Sequence, residues 1–343
     1  MSTPQPRGRL LSVLGKQAVD RPPVICTGGM MNAAIVDVME KTGHTLPEAH
    51  FSGTKMAALA EAVSECTGFE NIGVPFCMTV EAELFGSRID HGTLACEPKI
   101  EAEAFPSLTK VEVPANAARG GRTSVVGEAV ELLSKRRPDL PVVATLTGPV
   151  SVAASIVDPT TFLKELRTRR EDAHRVLAQV TAVLAEYAGA LISAGATVIA
   201  IGDPTATVEI LGPQLFQEYA IRYLNDLAAS IHALATPVIV HICGKMGAGA
   251  RLLPGLASDA ISVDAMIDLK GLKSDAPGLT TMGNLSTYLL QLGSPQKIAD
   301  RAVELVEDGV NIIAPACGLS TSTTLANITA MTRAVQTARE RVS

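Results

Sequence analysis

The chain has 343 residues, 47% of them hydrophobic, only 19% charged, with a net charge of −6 and no tryptophan. That length suits one large barrel or two ordinary domains, and the apolar share is ample for a buried core. The acidic balance and the 3% aromatic content argue against a nucleic-acid partner, because phosphate contacts need clustered Lys and Arg and base stacking needs rings.

The first residues have no apolar signal-peptide core. No run reaches the about 18–20 apolar residues of a membrane span; residues 188–201 come closest and are broken by Ser193, Gly195 and Thr197. Six cysteines over this length are too sparse for a disulfide framework. A cytoplasmic protein with reduced thiols, bound to no membrane, is the expectation.

In chain order, residues 1–70 read as a largely helical flank, with helices over 32–41 and 53–66 and a strand at 24–26. Strands follow at 71–74, 142–146, 197–201, 237–242, 260–263, 279–282 and 311–314, each short, apolar or β-branched, and bounded by turn residues. Between them amphipathic spacing predicts helices within 159–191, over 213–234 and over 295–307, the last with proline near its start; a helix over 323–342 closes the chain. Repeated β-then-α units without hairpin signals imply a parallel sheet. The strand count near eight favours a (β/α)8 TIM-type barrel with additional N-terminal helices, residues 1–343 forming a single domain. The rival, a doubly wound sheet, would show a glycine fingerprint after its first strand, and residues 26–30 (Cys-Thr-Gly-Gly-Met) lack the GxGxxG spacing.

Barrel residues just past the C-terminal strand ends face the active-site mouth. Here these are Thr147 and Gly148, Asp203, His241 and Cys243, Asp264, Asn284 and Cys317. His241 and Cys243, two residues apart, leave their strand on the same side, and Cys317 at an equivalent strand end could join them. Three soft ligands suit zinc and leave one position open, as catalytic zinc requires. Each cysteine taken alone is more often a small buried hydrophobe, and Cys26, Cys66, Cys77 and Cys96 read that way. Gly244 and Gly318 follow the two thiol positions and permit tight turns. Asp203 is either a site carboxylate or an N-cap. Asp264 is expected to accept a substrate proton or to act as a weak fourth ligand. Met30, Met31, Met78, Met246, Met266 and Met282 lie beside segment ends, where they fill core or line an apolar mouth.

Segments Ile25-Cys-Thr-Gly-Gly-Met-Met-Asn32, Pro75-Phe-Cys-Met-Thr-Val-Glu-Ala-Glu83, Ile201-Gly-Asp-Pro204, His241-Ile-Cys-Gly244, Gly283-Asn-Leu285 and Ala316-Cys-Gly-Leu319 resemble the uroporphyrinogen decarboxylase superfamily. More closely, the chain is similar to its zinc-dependent methylcobamide:coenzyme M methyltransferase branch, whose H-x-C…C signature matches at His241, Cys243 and Cys317. The resemblance implies a barrel with one zinc at its C-terminal mouth. It further implies a methylcobamide donor carried by a separate, transient corrinoid protein, since no D-x-H-x-x-G cobalamin segment occurs here. Met30, Met31, Asn32, Met78, Asp203 and Asn284 are the expected substrate and corrinoid contacts. The acceptor it implies is a thiol such as coenzyme M; tetrahydrofolate or another thiol is the alternative. A uroporphyrinogen decarboxylase-like activity is the further alternative. That branch uses arginines near the N-terminus, however, and Thr27-Gly-Gly-Met-Met31 holds none.

Overall fold

The computed structural model describes residues 5–116 and 119–338. In chain order the strands are β1 (Ile72–Val74), β2 (Arg88–Asp90), β3 (Lys99–Ala102), β4 (Val142–Thr147), β5 (Val198–Gly202), β6 (Val238–Ile242), β7 (Ala260–Val263), β8 (Thr281–Leu285) and β9 (Ile312–Pro315). β1 and β4 to β9 form one parallel sheet in that order, and β2 pairs with β3 as a separate antiparallel hairpin. Every residue of β4 to β9 is buried. Helices cover the outer face and side chains fill the inner one, which is why these strands read as apolar runs rather than alternating ones.

The sheet curls until its edges meet at Val24, which bridges Ile313 of β9 in parallel. On the other side Glu70 N–H donates to the Val24 carbonyl. The Asn71 side chain accepts from Cys26 N–H at 2.9 Å and donates to the Cys26 carbonyl at 2.8 Å. An amide side chain thus stands in for ladder bonds at the seam, and the predicted first strand survives as a bridge rather than a full strand. The architecture is the TIM-type α/β barrel expected from the alternation.

Helix Pro6–Leu14 starts with proline, whose missing N–H costs nothing there. It plugs the barrel floor: Leu10, Val13 and Leu14 pack with Val143, Val198, Ala260 and Ile312. Helix Gly53–Thr67 lies between the Val24 segment and β1, so part of the N-terminal flank is the first strand-helix unit of the ring.

Several helices differ from the periodicity. The segment 159–191 is two helices, Pro159–Thr168 and Arg170–Ala194, interrupted by Arg169 (φ −134°, ψ 56°). Arg170–Ala194, at 25 residues, is the one described helix long and apolar enough to cross a membrane; its Val176, Leu177, Val180, Leu184 and Leu191 are instead buried in the barrel wall. The segment 213–234 resolves into Val208–Leu215, a π-helical stretch Phe216–Ile221, and Arg222–His232. The terminal helix is Leu325–Thr337, and the end of its predicted range lies outside the described residues. Helix Pro295–Glu307 has its predicted bounds, capped by Ser294, whose Oγ accepts from Lys297 N–H. Helix Pro149–Ile156, buried at nearly every position, gave no amphipathic signal.

Candidate metal centre at the barrel mouth

His241 lies in β6 opposite Ser262 of β7 and Gly202 of β5. Its ring is 4% exposed. Nδ1 sits 2.9 Å from Ser262 Oγ, and Nε2 is buried without a partner. With Nδ1–H donating to the serine, Nε2 keeps its lone pair for a ligand. A buried, unpartnered imidazole nitrogen is costly in a folded protein unless it has a use.

The sulfurs supply that use. Cys243 Sγ and Cys317 Sγ are 3.0 Å apart, and one ligand atom each from His241, Cys243 and Cys317 all lie within 4.8 Å of one another. Zinc–sulfur and zinc–nitrogen bonds of about 2.0–2.3 Å put tetrahedral ligand atoms about 3.3–3.8 Å apart, so the donor set is of the right kind and scale for such an ion, with the two sulfurs needing to part by a few tenths of an ångström to hold it. The hydrogen bond between the sulfurs is the largest influence on both thiols: it lowers the pKa of Cys317 and raises that of Cys243. Gly244 takes φ 75° as the chain leaves Cys243. A Cβ at Gly318 would stand 2.9 Å from the Met30 carbonyl, so both glycines are required where they occur.

Asp264 Oδ2 is 3.7 Å from Cys243 Sγ, and Oδ1 accepts from Met266 N–H at 3.0 Å. It is half-buried beside the cluster, near enough to exchange a proton with a molecule there. Asn284 is buried and its amide donates to the carbonyls of Asp264 and Ile267; it pins the loop that carries Asp264. Met30 Sδ lies 3.9 Å from Cys317 Sγ and Met31 Sδ 4.0 Å from Ser262 Oγ. Both line a narrow cleft with His241, Ser262 and Met282. Asn32 sits just beyond: its amide donates to the Gly29 carbonyl, and its oxygen accepts from Ala34 N–H.

Two other expected contacts have different partners, although Asp203 N–H donates to the His241 carbonyl at 3.2 Å. Asp203 is fully buried, its carboxylate accepting from Val150 N–H at 3.1 Å and Ser151 N–H at 2.8 Å. It therefore caps helix Pro149–Ile156 rather than the helix that follows it, and both oxygens are used there instead of facing the mouth. Burial pushes its pKa up to about 6 against those hydrogen bonds. Met78 enters through its carbonyl, which accepts from Thr147 Oγ1. Thr147 N–H in turn donates to Glu81 Oε1, and Thr147 Oγ1 lies 2.8 Å from Glu81 Oε2; desolvation raises the pKa of this buried carboxylate.

Ser262 and Glu97 escaped the sequence reading. A serine inside the apolar strand Ala260–Val263 was the available signal for the first. Glu97 lies in the connection between β2 and β3, a hairpin with no apolar alternation to announce it; its β3 strand shows exposed and half-buried residues only.

The uroporphyrinogen decarboxylase (URO-D) family model matches residues 5–338. Methylcobamide:CoM methyltransferase MtbA of Methanosarcina acetivorans is 33% identical over 95% of this chain and 96% of its own. Methylcobamide:CoM methyltransferase MtaA of Methanosarcina barkeri is 32% identical over 95% and 96%. A solved methyltransferase from Methanosarcina mazei superposes with a TM-score of 0.91 at 31% identity, covering 97% of this chain and 98% of that one. With that match along nearly its whole length, this chain belongs to the uroporphyrinogen decarboxylase family and is an enzyme of its methyltransferase branch.

Proposed function

We propose that the enzyme moves a methyl group from a methylated corrinoid, presented by a separate corrinoid protein, to a small thiol, using one zinc held by His241, Cys243 and Cys317. The observation that carries this reading is the buried, unpartnered His241 Nε2 converging with two cysteine sulfurs. Zinc bound there would stabilise an acceptor thiol as its thiolate. Ser262 holds the imidazole so that Nε2 faces the sulfurs. Met30 and Met31 give this end of the barrel a soft, apolar lining that limits water around a nucleophilic sulfur. Asp264, 3.7 Å from Cys243 Sγ, is placed to take the thiol proton.

Coenzyme M, the acceptor in the relatives' names, is the first thiol to test; tetrahydrofolate is the alternative acceptor. A decarboxylase reading leaves the His-Cys-Cys cluster without a role. We also take residues 1–343 to act as one barrel in the cytoplasm, where cysteine ligands stay reduced. The test is anaerobic demethylation of methylcobalamin, followed by its spectrum, with thiols and tetrahydrofolate offered separately. Thiol-dependent loss of the methyl form is expected; loss with tetrahydrofolate alone would overturn the thiol assignment.

A further inference from the structure

A cleft of about 370 Å³ has among its lining Gly318 and Leu319, the two residues that follow Cys317 in the chain. One wall comes from the hairpin turn between β2 and β3, the others from the segments after β8 and β9. Its polar lining is Glu97, Thr287, Tyr288, Gln291, Ser320 and Thr321. Among the described lining residues there is one carboxylate and no lysine or arginine.

The turn is tied to the far wall, since Thr321 Oγ1 donates to the Ala95 carbonyl at 2.9 Å. Glu97 is therefore carried on an anchored strap rather than a free loop. Desolvation raises its pKa, opposed by a hydrogen bond from Asn32. A thiol whose sulfur joins the cysteine cluster must send the rest of its skeleton somewhere, and this is an adjacent space of adequate size. Hydroxyls and an amide there can hydrogen-bond a polar tail, whereas a fixed anion without a compensating cation disfavours a second anion.

We propose that this cleft receives the tail of the acceptor thiol and that Glu97 makes it select an ammonium-bearing or neutral tail over a sulfonate. The inference rests on the thiol-acceptor reading above and narrows its substrate class.

The experiment compares three two-carbon thiols: cysteamine, 2-mercaptoethanol and coenzyme M. Binding to the zinc-loaded enzyme is measured by calorimetry at low salt, with methylcobalamin demethylation alongside. Cysteamine should bind most tightly and coenzyme M least. Glu97→Gln should cut the coenzyme M-to-cysteamine Kd ratio about threefold, and Glu97→Lys about tenfold, toward or past inversion. High salt should compress the wild-type ratio, as screening requires. Coenzyme M binding as tightly as cysteamine in the wild type, or a ratio that neither variant moves, overturns the proposal. If no thiol removes the methyl group, the methyl-transfer reading falls, while the binding order still decides the cleft's selectivity.

Discussion

The two ends of this barrel solve opposite problems. At the floor a network of buried charges closes on itself. Arg9, 2% exposed, donates to both oxygens of Asp20 at 2.8 and 2.9 Å and to Glu70 at 2.6 Å. Arg21 donates to both oxygens of Glu70 at 2.7 Å, and Val24 N–H also reaches that carboxylate. Leu10 and Leu14 seal the interior above this network. At the mouth, by contrast, His241 Nε2 is buried without a partner and two thiols crowd to 3.0 Å. Closed polar networks hold a structure together, whereas open ones mark where a ligand completes the set. The division matches the general use of this fold, with stability at one face and chemistry at the other.

The largest effect should come from breaking the mouth. Cys243→Ala and Cys317→Ala should each lose zinc and thiol-dependent demethylation while circular dichroism and the melting temperature stay close to wild type. Stoichiometric zinc with normal turnover in either variant would remove the pair as ligands. The floor should answer in the opposite way. Glu70→Ala leaves buried Arg9 and half-buried Arg21 short of their shared acceptor and should cost about 3 kcal/mol or more in denaturant unfolding, with zinc per folded chain unchanged.

The pattern of what the sequence revealed follows the same division. The ligands were legible because each ends an apolar strand, and strand ends in a parallel barrel point to one face. His241's partner was not, because Ser262 meets it only through the β6–β7 register, which no local spacing encodes. Asp203 looked like a site carboxylate for the same reason the ligands did, yet it is consumed by a neighbouring helix start. The break at Arg169 and the π-helical stretch Phe216–Ile221 were also hidden, because both helical segments keep an apolar face across the irregularity. The floor network joins Arg9, Asp20, Arg21 and Glu70 from three separate segments, and nothing in their spacing announces it.

Smaller perturbations sharpen the contrast. Ser262→Ala should keep the fold but weaken zinc binding about 10- to 100-fold, the usual cost of freeing a ligating imidazole, read by competition with a chromophoric chelator. Asp203 offers a pH signature. Its folded pKa of about 6 lies above the ordinary value of 3.8, so the unfolded chain ionises first as pH rises. Its contribution to stability is full below about pH 4 and is lost as pH climbs through about 6. Asp20, held low chiefly by its hydrogen bond from Arg9, works with the opposite sign: its contribution is present above pH 3.8 and fades on acidification. In Asp203→Asn the loss of stability between pH 4 and 6 should flatten, which unfolding curves at several pH values would detect; an unchanged slope would assign that loss to other groups. Smallest of all, Asp264→Asn should retain zinc and melting temperature while shifting thiol affinity or its pH dependence a few-fold. Identical thiol titrations at every pH would leave Asp264 with only its turn-forming bond to Met266.

The most direct test of the central claim is a zinc titration of the metal-free enzyme, with bound metal and thiol-dependent methylcobalamin demethylation followed in the same samples. Both should rise together and saturate at about one zinc per chain. Full demethylation before any zinc is added, or zinc that binds stoichiometrically without raising the rate, would contradict the account.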